Sequence, residues 1–147
     1  MRVQLRGASL GQLRHAASPR LAALGPSLQS MQFIEDGAVP PDALPEYVRG
    51  IREILDRHQV RGVIFGHAGD AHVHVNPLID TSRPEWRDTI RAILDETVAL
   101  TARLRGTLTG EHGDGRLRTP LLQQVWPAAA LEMFRTVKEV FDPRGIF

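Results

Sequence analysis

Histidines and carboxylates are concentrated in two glycine-rich stretches of this chain. Four of the six histidines lie there, three within residues 66–76 and one in the motif Gly110-Glu111-His112-Gly113. Imidazole and carboxylate groups bind borderline divalent metals and transfer protons near neutral pH. Glycines allow the backbone to turn sharply and to approach a ligand closely. This combination of residue types is typical of an active site.

His67 and His74 are the two histidines whose spacing most favours a shared ligand. An Ala-Gly-Asp turn follows His67, and His74 lies in the next predicted strand. Because neighbouring strands are about 4.8 Å apart, a tight connection can bring the two imidazoles together. Two imidazoles and one carboxylate leave a coordination position open, as in catalytic divalent-metal sites. Glu111 or Asp70 could supply the carboxylate, and with Glu111 as ligand His112 remains as a base.

Other polar residues near these motifs have simpler interpretations. A histidine within a strand is more often a hydrogen-bonded structural residue than a ligand, and we interpret His72 in this way. We interpret His15 and His58 as solvated or helix-capping histidines. The charged group after the glycine loop could equally be a surface ion-pair cluster that contributes little to stability; its members are Asp114, Arg116 and Arg118.

Length and composition indicate one ordinary globular domain. A chain of 147 residues can bury roughly 68–70% of its unfolded surface, so we expect a single domain spanning residues 1–147. The net charge of +1 does not favour nucleic acid as a partner. The absence of cysteine excludes disulfides and thiolate metal sites within the chain. No signal peptide or membrane-spanning run is recognisable, and a cytoplasmic location is expected.

Hydrophobic periodicity predicts the elements that must position the two motifs. Short strands are expected at residues 31–35, 61–65 and 71–76, with Pro77 either ending the last of them or marking it as an edge strand. Residues 72, 74 and 76 then share one face of the third strand. Helices are predicted from the N-cap Asp42 to about residue 58, after a capping box at residues 82–85, and from Pro127 onward.

The order of these elements predicts the fold class. The sequence β-α-β-β-α, followed by a glycine loop at residues 105–118 and further helices, indicates an α+β fold. We expect a ferredoxin-like split β-α-β antiparallel sheet with helices packed on one face, plus C-terminal helices. The final helix has an apolar stripe that we expect to pack in the core; it consists of Leu131, Phe134, Val137 and Phe141.

Several motifs together resemble the C-terminal (cap) domain of FAD-linked oxidases of the vanillyl-alcohol-oxidase superfamily. The branch resembled includes D-lactate dehydrogenase, the glycolate oxidase flavin subunit and D-2-hydroxyglutarate dehydrogenase. The resemblance covers about residues 12–147. Its motifs are Glu35-Asp36-Gly37-Ala38-Val39-Pro40, Gly66-His67-Ala68-Gly69-Asp70-Ala71-His72-Val73-His74-Val75-Asn76, Gly110-Glu111-His112-Gly113-Asp114-Gly115 and the closing Val137-Lys138-Glu139-Val140-Phe141-Asp142-Pro143-Arg144-Gly145-Ile146.

The resemblance implies a role for particular positions. The metal ligands of the family fall on His67, His74 and Glu111, with zinc or manganese as the metal. The catalytic base of the family falls on His112. Substrate contacts are implied at Arg14, Ser18 and Asn76. A lysine that D-2-hydroxyglutarate dehydrogenases carry near residue 34 is replaced here by Ile34, so recognition of a second, distal substrate carboxylate is not expected.

The resemblance also implies partners that this chain does not itself provide. FAD is expected to be bound mainly by a separate FAD-binding domain or subunit, because no glycine-rich flavin-phosphate stretch precedes residue 30. We therefore interpret the chain as the cap domain of an enzyme that oxidises a D-2-hydroxy acid, present as a fragment or a split subunit. An iron–sulfur electron acceptor, with peripheral membrane association through it, is a further expectation. The alternative is a stand-alone metal- or small-ligand-binding domain without turnover.

Overall fold

A computed structural model describes residues 25–147, and its centre is a four-stranded antiparallel sheet. The longest strand, β4, pairs with every other strand. The strands are β1 (Leu28–Ser30), β2 (Gly37–Ala38), β3 (Arg61–His67) and β4 (His72–Asp80).

The register of the sheet places β3 along one side of β4. The other side of β4 is shared by β1 at its C-terminal end and β2 at its N-terminal end, because Ser30 pairs with Leu78 and Ala38 pairs with His72. The turn at residues 31–36 connects these two short strands. It therefore lies beside the middle of β4, where it can contact the histidine face of that strand.

Two amphipathic helices, α1 (Leu44–Arg57) and α2 (Trp86–Arg103), supply most of the core. Each buries one apolar face against the other and against the alternate residues Val73, Val75 and Ile79 of β4. Full burial of such a side chain stabilises the fold by roughly 1.5–3 kcal/mol. The helices are α1 (Leu44–Arg57), α2 (Trp86–Arg103), the single turn α3 (Gly115–Arg118) and α4 (Ala128–Phe141), and short 3₁₀ segments cover Pro41–Ala43, Ala68–Asp70 and Thr119–Gln124.

The predicted α+β class with an antiparallel sheet and C-terminal helices is confirmed, but four local predictions were wrong. Residues 31–35 form a turn and not a strand, because they carry the chain along one side of β4, from β1 at its C-terminal end to β2 at its N-terminal end. Asp42 lies inside a 3₁₀ turn and caps nothing. Ser82 hydrogen-bonds Asp80 and not the start of α2. β4 continues through Pro77 to Asp80, and the Pro77 carbonyl accepts a bond from the Met31 N–H.

The apolar stripe of α4 was also predicted wrongly, since it does not lie in the core. Val137 is 57% exposed and Phe141 is 81% exposed. The described part of the chain offers α4 mainly the 3₁₀ segment at residues 119–124 as a neighbour, so most of the stripe faces outward. None of the helices within residues 25–147 is both long enough and apolar enough to cross a membrane.

Candidate metal centre

The β3–β4 hairpin brings three imidazoles onto one face of the sheet. His67 pairs with His72 across the hairpin and Phe65 pairs with His74, and paired residues in an antiparallel sheet project to the same face. The ring centroids of His67 and His74 are 5.4 Å apart, and those of His72 and His74 are 4.5 Å apart. The predicted tight β–β connection is thus confirmed. Because successive side chains of a strand point to opposite faces, the histidines of β4 lie on the face opposite Val73 and Val75.

A buried carboxylate, Asp36, organises the loop that carries Glu111. Its Oδ2 accepts hydrogen bonds from the Thr109 hydroxyl at 2.5 Å and from the N–H groups of Gly110, Glu111 and His112 at 3.1, 3.2 and 2.8 Å. Burial alone would raise the pKa of Asp36, but these bonds and one from His72 outweigh it and hold the pKa well below the ordinary value. The loop is therefore built around an ionised carboxylate.

Three imidazole nitrogens converge on one oxygen of Glu111. Its Oε1 lies 3.2 Å from His74 Nε2, 3.3 Å from His112 Nε2 and 3.7 Å from His67 Nε2. In a tetrahedral zinc site with bonds of about 2.0–2.1 Å, neighbouring ligand atoms are about 3.3 Å apart. The spacing of His67, His74 and Glu111 therefore fits a shared divalent cation without rearrangement of the backbone.

A hydrogen bond at Nδ1 would prepare His74 to act as a ligand through Nε2. His74 is buried, and its Nδ1 lies 2.9 Å from the main-chain oxygen of Glu35. A carbonyl can only accept, so Nδ1 donates this hydrogen bond, and Nε2, on the side of Glu111, is the nitrogen left for a metal. Ligating histidines in metal sites commonly have such a partner on the second nitrogen.

Two overlapping groups of side chains have ligand atoms within 4.8 Å of one another. One comprises His67, His72, His74 and Glu111, and the other comprises Asp36, His74, Glu111 and His112. Asp36 is already committed to five hydrogen bonds, which argues against the second group. His72 uses its Nε2 on Asp36 at 2.8 Å. With Asp36 and His72 engaged in this way, His67, His74 and Glu111 form a candidate ligand set. It is the set predicted from the sequence, and it stays a prediction.

His112 lies beside this set and is held by a different carboxylate. Its Nδ1 is 3.1 Å from Glu35 Oε1 and its side chain is 48% exposed. The hydrogen bond to Glu35 raises the pKa of His112, and the charges of Asp36, Glu35 and Glu111 raise it further against the opposing effect of desolvation. A bound dication would oppose that shift, since a nearby positive charge disfavours imidazolium.

Gly66 allows the close approach of β3 to β4 at the histidine end of the hairpin. A Cβ there would lie 2.2 Å from the His72 carbonyl oxygen and 2.9 Å from the Val73 Cα. Both obstacles are backbone atoms, so a side-chain rotation cannot relieve them.

We expect Gly66→Ala to lower the free energy of unfolding by about 1–3 kcal/mol, because the clash must separate the strands. The measurement is urea denaturation followed by circular dichroism. Gly69→Ala is the matched control, since a Cβ added at Gly69 would meet no other atom within 4 Å. Equal stability of the two variants would contradict this account of Gly66.

Comparison with known proteins identifies the fold that carries this site. The family described as FAD linked oxidases, C-terminal domain, matches residues 4–147. The chain belongs to this family. The resemblance inferred from the histidine motifs is thereby confirmed.

Several members of the FAD-linked oxidase group are similar to this chain. It is 39% identical over 113 residues to D-2-hydroxyglutarate dehydrogenase of Pantoea ananatis, covering 77% of this chain and 11% of that protein. It is 29% identical over 138 residues to glycolate oxidase subunit GlcD of Bacillus subtilis, covering 94% and 28%. It is 32% identical over 111 residues to D-lactate dehydrogenase of Archaeoglobus fulgidus, covering 76% and 24%. The chain thus spans between about a tenth and just over a quarter of the length of these relatives.

The remaining residues that the sequence predicts for the site are not part of the His67–His74–Glu111 cluster. Asn76 is buried on the histidine face of β4, and its Oδ1 has no hydrogen-bond partner among the described residues. Asp70, the alternative carboxylate ligand, is exposed and belongs to neither group of candidate ligands in residues 25–147. Arg14 and Ser18 lie outside the described residues.

Four residues that organise the site were not assigned a role from the sequence. Glu35 and Asp36 were recognised only as part of a family motif, in and directly after a predicted strand, and Thr109 was not singled out. Arg118 was considered as a member of a surface ion-pair cluster, but it is 8% exposed and its Nη1 lies 2.7 Å from Glu35 Oε2. Their partners lie far away in the chain, so no local pattern could reveal them. The acidic pair directly before Gly37 was the one available signal.

Proposed function

We propose that this chain is the metal- and substrate-binding domain of an FAD-dependent enzyme that oxidises a D-2-hydroxy acid to the 2-oxo acid. The observation that carries the proposal is the convergence of His67, His74 and Glu111 on one point with His112 beside it. Their ligand types and spacing suit zinc or manganese. A purely structural cluster would not require three imidazole nitrogens to face one carboxylate oxygen.

The names of the relatives support the substrate class. D-2-hydroxyglutarate, glycolate and D-lactate all carry a hydroxyl group on the carbon next to a carboxylate. Such a substrate offers two oxygens to a metal and one acidic proton to a base. Ile34 is 5% exposed and packs in the core, so we propose that the substrate of this enzyme has no second carboxylate bound at that position.

In this proposal the residues of the chain bind the substrate and remove its hydroxyl proton. When bound, the metal would polarise the hydroxyl and carboxylate oxygens as a Lewis acid, and the flavin would accept the hydride from the α-carbon. His112 Nε2 receives the hydroxyl proton, because it is the ring nitrogen that faces Glu111. Asn76, Arg14 and Ser18 orient the substrate. Positioned general-base catalysis of this kind contributes a factor of about 10²–10⁴.

The proposal includes partners outside this chain. FAD would be held mainly by an FAD-binding domain or subunit that closes the other side of the substrate site. Electrons could then pass to an iron–sulfur acceptor, and the complex would be cytoplasmic or attached peripherally to a membrane through that acceptor.

We expect the isolated 147-residue chain to bind zinc or manganese but neither to retain FAD nor to oxidise hydroxy acids. Flavin absorbance of the purified chain and dye reduction with D-lactate, glycolate and D-2-hydroxyglutarate test this directly. Combining the chain with the FAD-binding portion of its own enzyme should restore activity with at least one of these acids. A metal-loaded chain that stays inactive in the combined preparation would favour the alternative of a stand-alone binding domain.

A further inference from the structure

We propose that Glu35, clamped by Arg118, is a positioning residue that orients both His74 and His112 toward the metal centre. This inference rests on the proposed function, because Glu35 would orient the metal ligand and the base that are named there. Glu35 stands in the turn between β1 and β2, far in sequence from every residue it contacts at the site.

Glu35 contacts the two imidazoles through different atoms. Its main-chain oxygen lies 2.9 Å from His74 Nδ1, and its side-chain Oε1 lies 3.1 Å from His112 Nδ1. Each contact is to an acceptor oxygen, so each Nδ1 donates its hydrogen bond to Glu35. The Nε2 atoms of both rings then lie on the side of the metal centre, within 3.3 Å of Glu111 Oε1. One residue thus turns the same ring nitrogen of the proposed ligand and of the proposed base toward the centre.

Arg118 holds the other oxygen of the Glu35 side chain. Its Nη1 lies 2.7 Å from Glu35 Oε2, and its Nη2 donates to the Gly113 carbonyl at 2.8 Å. Glu35 is 7% exposed and Arg118 is 8% exposed. A buried ion pair is often no more stabilising than apolar residues of the same size. Stability alone therefore gives little reason for this pair, whereas orientation of His112 does.

The Glu35–His112 pair resembles the carboxylate–histidine pairs in which a carboxylate orients a histidine base. In serine proteases an aspartate bonded to Nδ1–H fixes the tautomer, and its amide replacement leaves the ring in the wrong tautomer and lowers turnover by about 10⁴. Here Arg118 adds a constraint, since a guanidinium can only donate. In a Glu35→Gln variant the amide oxygen must therefore stay with Arg118, and the amide NH₂ must face His112 Nδ1.

The decisive experiment is imidazole NMR on the metal-free chain carrying Glu111→Ala, which removes the carboxylate that would otherwise compete for a proton on Nε2 of His74 and His112. Long-range ¹H–¹⁵N correlation distinguishes protonated from unprotonated ring nitrogens at a pH where the histidines are neutral. We expect Glu35→Gln to move the His112 proton from Nδ1 to Nε2. The His74 tautomer should not change, because its partner is the main-chain oxygen of residue 35, and it serves as the internal control. Glu35→Asp, which keeps a carboxylate, should retain the Nδ1–H form of His112.

A second variant keeps the test decisive if Glu35→Gln does not fold. The double variant Glu35→Met with Arg118→Met removes both charges at similar volume, an exchange that buried ion pairs often tolerate. It should leave His112 as a mixture of tautomers. If His112 keeps a single Nδ1–H tautomer in either variant, Glu35 does not position it and the inference is overturned.

Kinetics of the complete flavoprotein separate this inference from the proposed function. If both hold, Glu35→Gln should lower turnover by about 10²–10⁴ with a change in KM and in zinc affinity of no more than a few-fold. A switched tautomer with unchanged turnover would support the positioning by Glu35 and refute His112 as the base. An unchanged tautomer would refute the positioning whatever the kinetics.

Discussion

Glu111→Ala should remove the metal and the activity together. Glu111 supplies the oxygen on which His67 Nε2 and His74 Nε2 converge at 3.7 and 3.2 Å, so its loss leaves two imidazoles and no anionic ligand. Removal of an outer-shell partner alone typically costs 10–100-fold in metal affinity. We therefore expect the loss of a direct ligand to lower zinc affinity by at least about 100-fold.

Calorimetric titration of the chain with zinc and with manganese measures this effect, and elemental analysis of the purified protein gives the metal content. Asp70→Ala is the matched control, because Asp70 is the other carboxylate near the hairpin and is exposed outside both ligand groups. It should bind metal like the wild type. Unaltered affinity in Glu111→Ala, or an equal loss in Asp70→Ala, would show that the ligand set is assigned wrongly.

His112→Ala should have the opposite signature, with a large loss of turnover and nearly unchanged metal content. His112 Nε2 lies 3.3 Å from Glu111 Oε1, but its Nδ1 is held by Glu35 and we propose it as the base and not as a ligand. Removal of a positioned general base lowers turnover by about 10²–10⁴. The expected result requires the complete flavoprotein, since in the proposed function the flavin accepts the hydride.

Steady-state kinetics and metal analysis of the same preparation distinguish a base from a ligand, although the two residues are adjacent in sequence. His58→Ala is a suitable control, because His58 lies at the end of α1 and pairs with Glu96, away from the metal centre. It should leave turnover within a few-fold of the wild type. Loss of metal from His112→Ala, or a rate within a few-fold of the wild type, would remove His112 from the role of base.

Local patterns in the sequence were sufficient to predict the elements that carry the candidate ligands. β4 was predicted from the two-residue alternation of its polar and apolar side chains. Helices α1 and α2 were predicted from the helical spacing of their apolar residues. Both signals are contained in short windows, so the hairpin with His67 and His74 and the α+β class could be predicted. The Glu-His pair in the glycine loop was recognisable because its residue types have few structural uses in such a loop.

The residues that surround the candidate ligands could not be predicted in this way. Glu35 and Asp36 lie in or beside a segment that was predicted to be a strand, and they reach His112, Arg118 and the glycine loop only after the sheet has formed. A carboxylate at a turn has the same local pattern whether it is solvated or buried. The number and kind of groups that meet it decide which is the case, and these come from distant segments.

By itself, the sequence determined which residues could bind a metal or transfer a proton, and which short segments would carry them, because side-chain chemistry and strand or helix period are local properties. Tertiary structure alone decided which ring nitrogen of His74 and of His112 faces Glu111, since that choice depends on an acceptor delivered by the turn before β2. It also decided that the apolar face of α4 remains outside the core of the described residues. Burial of an apolar helix face depends on which other elements pack against it. The spacing of apolar residues in the sequence shows only that the helix has such a face.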